Sequence, residues 1–136
     1  MAASAARNGR QKASDLKNYK MAAATQVWKH TLLNIRVADG YIYPARSGTA
    51  TDMFAGVASE SKLSGAVAGA DEVNVHKEGE FEFAASGMAQ TDVGVAVYAS
   101  DDNTVTKTST NNQLVGYITE FISATRVRVR IDRAVQ

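Results

Sequence analysis

The chain has 136 residues, 45% of them apolar and 21% charged, which suits one packed domain and argues against wholesale disorder. It contains no Cys, which excludes a disulfide scaffold, a thiolate zinc site and a cysteine nucleophile together. The net charge of +1 is assembled from blocks: +5 over residues 1–29, −7 over 30–125 and +3 over 126–136.

The first residues lack the apolar stretch of about 7–15 residues that marks a signal peptide. The longest apolar run, Val93–Ala99, is interrupted by Gly94 and falls far short of the ~20 residues of a spanning helix. The expectation is a protein made soluble in a cytoplasm, with no membrane partner.

Residues 1–25 are rich in Ala, Lys, Arg, Asn and Ser. Ser14 suits the cap of a short helix over Asp15–Ala24, where Ala, Leu, Lys and Met are good formers. Apolar residues are sparse there, so the stretch reads as a basic arm, mobile or briefly helical until a partner orders it. Arg7, Arg10, Lys12, Lys17 and Lys20 supply its charge.

From Gln26 the pattern has period two through Leu33, and a β domain over 26–136 is expected. Ala38-Asp39-Gly40 is a turn, and Tyr41-Ile42-Tyr43 is a strand stopped by Pro44. A polar loop over 45–52 precedes a strand at Phe54–Ser59, and Ser64–Gly69 is a loop. Val73–Lys77 and Glu80–Ala84 are strands around Glu78-Gly79, as one bent strand or a tight hairpin. Val93–Ala99 and Thr104–Thr108 are strands on either side of the Asp101-Asp102-Asn103 turn, and Leu114–Ile122 with Thr125–Asp132 closes the chain as a hairpin.

About eight or nine short strands with regular turn signals predict an all-β fold, a small antiparallel barrel or sandwich with an extended N-terminal arm. Gly56, Gly94 and Gly116 each sit between apolar residues, and glycine inside a strand marks a bulge, a bend or close backbone approach. They suggest strong curvature.

Two stripes of like charge stand out. Glu78, Glu80 and Glu82 alternate with Gly79, Phe81 and Phe83. Arg126, Arg128 and Arg130 alternate with Val127, Val129 and Ile131. Successive strand side chains point to opposite faces, so each stripe lines an outer face above an apolar inner one. A plain solvated surface is one reading. The other is that the stripes meet, within a subunit or across a boundary, since like charges at i, i+2 repel. An odd-length turn near Ser123–Thr125 would set Glu120 opposite Arg128 and turn Val115, Tyr117 and Phe121 inward. Ile118 and Ile122 would then lie outside, beside the arginines, as subunit-interface contacts with the six charged residues.

No catalytic set assembles. His30 and His76 lack HxH or HExxH neighbours, so neither argues for a metal. The glutamate row offers no cleft that would raise one carboxyl of a glycosidase pair. Asp101-Asp102-Asn103 lacks the glycine and downstream Glu of a calcium loop. Nucleophile-elbow, dinucleotide and phosphate-loop motifs are missing, so no enzyme, cofactor or metal is expected. A basic arm on a small barrel would suit nucleic acid, with Tyr19, Trp28, Tyr41 and Tyr43 as stacking platforms. The body of charge −7 argues against it, because it repels phosphate.

From Phe54 to Ile131 an ordered set of segments follows. Phe54-Ala55-Gly56-Val57-Ala58 comes first, then Val73-Asn74-Val75 leading into Glu78-Gly79-Glu80-Phe81-Glu82-Phe83. Gly94-Val95-Ala96-Val97-Tyr98 with Asp101-Asp102 is next, then Val115-Gly116-Tyr117-Ile118 and the closing Arg-Val-Arg-Val-Arg-Ile. In order and spacing this resembles the small phage capsid cement, or decoration, proteins. Residues 26–50 fall outside the likeness, and a longer basic arm replaces the family's compact start. The resemblance implies a non-enzymatic protein on the outer surface of a virion capsid, bound to the major capsid protein and commonly a homotrimer. It implies that the arm reaches a neighbouring subunit. The alternatives are a small nucleic-acid-binding barrel and a tail-tube or head-completion protein.

Overall fold

The computed structural model describes residues 16–49 and 51–131. It is all-β. The strands in chain order are β1 (Leu16–Lys20), β2 (Gln26–Val27), β3 (Leu32–Ile35), β4 (Ile42–Pro44), β5 (Met53–Ala58) and β6 (Lys62–Leu63). They continue with β7 (Glu72–His76), β8 (Gly79–Ala84), β9 (Ala96–Ala99), β10 (Val105–Thr106), β11 (Leu114–Ser123) and β12 (Arg126–Ile131). One sheet runs β1-β7-β5-β3-β4, a second runs β10-β9-β11-β12-β8, and β2-β6 form a ribbon.

The first sheet is rolled into a half-barrel. Its outer strands touch where Met21 bridges Ile42, and the Ala22 N–H donates to the Ile42 carbonyl at 3.1 Å. Strand alternation then feeds two cores. Leu32, Phe54 and Val57 point toward the second sheet and pack with Phe83, Val97, Val115, Ile118, Val127, Val129 and Ile131. Their chain neighbours Leu33, Ala55 and Ala58 point into the half-barrel with Met21, Val27, Ile42, Val73 and Val75. Each large aliphatic buried this way contributes roughly 1.5–3 kcal/mol.

The expected helix over Asp15–Ala24 is, in its described part, a strand over Leu16–Lys20 followed by the Met21 bridge and a turn. β1 pairs with β7, from Leu16 opposite His76 to Lys20 opposite Glu72. Met21 and Ala22 are buried, and Tyr19 packs against the half-barrel core. Burial overrides the modest helix preference of this stretch. Residues 16–22 therefore belong to the folded body rather than to an arm. Arg7, Arg10 and Lys12 lie outside the described residues.

The period-two stretch from Gln26 is two strands, not one. His30 has φ 66°, and the Thr31 N–H and hydroxyl both reach back to the Trp28 carbonyl, at 3.2 and 2.6 Å, in a tight turn. Of the three flagged glycines, Gly56 and Gly116 lie in strands and Gly94 lies in the turn before β9. At Gly116 a side chain would collide with the Arg130 carbonyl, so only glycine lets β11 approach β12 there. The Glu78-Gly79 step is a bend, not a hairpin: β7 and β8 belong to different sheets, joined through Gly79 at φ 133°.

Candidate functional site

The two charged stripes meet within one chain. β8 and β12 are antiparallel neighbours, with Arg126 opposite Ala84, Arg128 opposite Glu82 and Arg130 opposite Glu80. β11 flanks β12 on its other side, with Glu120 opposite Arg128. Signs therefore alternate across the outer face, from acidic β11 to basic β12 to acidic β8. Arg126 Nε lies 2.7 Å from Glu82, while Arg128 reaches Glu82 at 3.5 Å and Glu120 at 3.0 Å. Glu80 accepts a hydrogen bond of 2.7 Å from the Thr119 hydroxyl. All four ion-pair partners are substantially exposed, so each pair fixes register more than it adds stability.

Glu78, Glu80 and Arg130 stay outside the ion pairs among the described residues. Arg130 and Glu80 are cross-strand neighbours, yet neither joins a salt bridge among the described residues. With Glu78 and Gly79 they line a notch of about 310 Å³ at the bend between β7 and β8.

Ile118 is not an outer contact. It lies opposite Val129 and is 1% exposed. A β-bulge between Ile118 and Glu120 inserts Thr119 as an extra residue, which shifts the alternation by one. For the same reason Tyr117, expected inside, stands on the surface with 53% exposure. A second irregularity between Phe121 and Ser123 leaves Ile122 outside and Phe121 half-buried against the core. A break in alternation at Ile118-Thr119-Glu120 was the available signal.

Lys17 and Lys20 are exposed on β1, at the edge of the first sheet and apart from the ladder. Behind that edge lies a pair that sequence reasoning missed. Lys77 donates to the Tyr19 hydroxyl at 2.6 Å and to the Ala55 carbonyl at 3.3 Å. Burial, with Lys17 adding a smaller push, lowers its pKa to about 8. Burial raises that of Tyr19. No sequence pattern marks this contact, because it joins residues 58 positions apart.

Elsewhere, buried Asp52 accepts two hydrogen bonds from Arg46, at 2.8 and 3.0 Å, which hold its carboxyl below the usual range. His30 and His76 flank Phe81, with ring centroids 6.0 and 5.4 Å away. Among the described residues no group of three His, Cys, Asp or Glu is placed to hold a metal. Of the aromatic platforms, Trp28 is 57% exposed, while Arg36 stacks 3.6 Å over the Tyr43 ring. The geometry provides an exposed face on which acidic and basic strands alternate.

A family model described as phage cement protein matches residues 11–132, and so spans both sheets and the ladder. Comparison with curated proteins and with solved structures gives no match.

Proposed function

The chain belongs to the phage cement protein family, and on that footing we propose that it binds the outer surface of the major capsid protein lattice and stabilises the shell as a homotrimer. The family match over residues 11–132 carries this reading. A structural, capsid-associated role agrees with a small all-β body whose outer face is braced by its own ion pairs. In this reading Arg7, Arg10 and Lys12, upstream of β1, contact the capsid protein.

The test is co-sedimentation of the purified chain with undecorated capsids, followed by heating of the decorated shells. Saturable binding to intact capsids and a higher temperature of shell disruption are expected. A chain that stays in the supernatant at every capsid concentration, or decorated shells no more resistant to heat, would sink the reading.

A further inference from the structure

Asn34 is a polar residue in an apolar setting. It sits on β3, two residues after Leu32, and turns with it toward the second sheet. Phe54 on β5 and Tyr43 on β4 are its cross-strand neighbours. It is 0% exposed, yet among the described residues neither its amide nitrogen nor its amide oxygen has a hydrogen-bond partner. A buried amide in that position has given up its bonds to water and gained none, and folded chains satisfy nearly all such groups.

The groups around Asn34 define what can satisfy it. Buried Asp52 accepts two hydrogen bonds from Arg46. Arg46 does most to hold that carboxyl below its usual range against the cost of burial, and Asn34 and Thr49 add smaller pulls, which places both beside it. Neither comes into hydrogen-bond geometry with the carboxyl, and Thr49 Oγ1 is itself buried and unpartnered among the described residues. A β-bulge lies next to Asn34. Leu33 faces Gly56 and Asn34 faces Phe54, so Ala55 is an extra residue of β5. Such an insertion bends a strand and interrupts its ladder, which spaces groups that a regular sheet would press together.

Charge and size select the ligand. The Asp52 carboxylate is already matched by the Arg46 guanidinium, and Arg36, stacked over Tyr43, has Asp39 close by. A further cation would face Arg46 and a further anion would face Asp52, so the ligand is neutral. Asn34 offers both donor and acceptor and the Thr49 hydroxyl can act as either, so the ligand must do both. A fully buried side chain admits only a small one. We propose that Asn34, Thr49 and Asp52 hold one internal water molecule, which fastens the loop over residues 45–52 to β3. Buried waters make about three hydrogen bonds each, to groups of this kind. The water adds a tie to a loop that Arg46 and Asp52 clasp near its ends and that Gln113 holds by donating to the Thr49 carbonyl at 2.8 Å. This site stands independently of capsid binding.

The experiment is a high-resolution crystal structure of the full chain, with amide hydrogen exchange of the wild type and of Thr49→Val. Valine keeps the shape of threonine and removes the hydroxyl. The density is expected to show one water within about 2.7–3.2 Å of both the Asn34 amide and the Thr49 hydroxyl. Amides of the 45–52 loop are expected to exchange about three- to tenfold faster in Thr49→Val, the loss of one net hydrogen bond, while those of β8 and β12 keep their rates. An Asn34 amide bonded directly to Asp52, with no density between them, would overturn the site. A peak with an anomalous signal would be an ion and would overturn the neutral ligand. Unchanged loop exchange in Thr49→Val, or an equal rise across both sheets, would overturn the local tie.

Discussion

Ile118 lies opposite Val129 inside the core, although Glu120, only two residues further on, lies opposite Arg128 on the outer face. In a regular strand residues two apart share a face. The extra Thr119 breaks that rule and lets β11 bury its isoleucine while still presenting its carboxylate to the ladder.

The consequence for stability is unequal. Ile118→Ala is expected to cost about 2–5 kcal/mol, the range for a fully buried aliphatic. Ile122→Ala, at 39% exposure, is expected to stay within about 0.5 kcal/mol. Urea unfolding of the two variants checks this, and equal losses would refute the bulge.

Glu82 bridges two arginines on β12, whereas Glu78 joins no ion pair among the described residues. Glu82→Gln is expected to lower stability by about 0.5–1 kcal/mol at low salt, and by less at 1 M salt, where the Debye length shrinks to about 3 Å. Glu78→Gln is expected to change little at either salt. A Glu82 effect that does not depend on salt would point to packing instead of charge.

Lys77 makes stability depend on alkaline pH. In the folded chain it loses its proton near pH 8, while in the unfolded chain it keeps it to about 10.4. Between these values the unfolded state binds more protons, so stability rises with pH. Tyr19 works the other way above about pH 10, because its folded pKa is raised. Denaturation midpoints taken from pH 7.5 to 9.5 should therefore climb. Lys77→Met should flatten that slope, and an unchanged slope would exclude Lys77 as its source.

The half-barrel core sets where the chain can be cut. Removing residues 1–15 is expected to leave the melting transition within a few degrees of wild type. Removing residues 1–25 takes away β1, Met21 and Ala22, and is expected to abolish the transition. Circular dichroism melts distinguish the outcomes. Survival of the shorter chain would show that residues 16–25 are dispensable.

The outer ladder was legible because Glu and Arg alternate with Phe, Val and Ile at period two, and period two has one meaning in a strand. The bend at Gly79 was legible as one of two options, and pairing partners decided it. The bulge at Thr119 left only a weak mark, the apolar Ile118 two residues before the charged Glu120, and the pairing with β12 decided which of them broke the alternation. β1 was misread for a related reason. Its few apolar residues look insufficient alone, and they matter only because Val73, Val75 and Ile42 wait on the other side. The meeting of Lys77 with Tyr19 is purely tertiary and leaves no local trace.

The bend at Gly79 makes one stretch of backbone a member of both sheets, with β1 alongside it before the bend and β12 after it. Melting either half frees a strand continuous with one the other half holds, and it opens the core in which Leu32, Phe54 and Val57 pack against the second sheet. The two cores are thereby coupled into a single cooperative unit. A calorimetric trace with one endotherm, its calorimetric and van't Hoff enthalpies equal, is what that shared strand imposes.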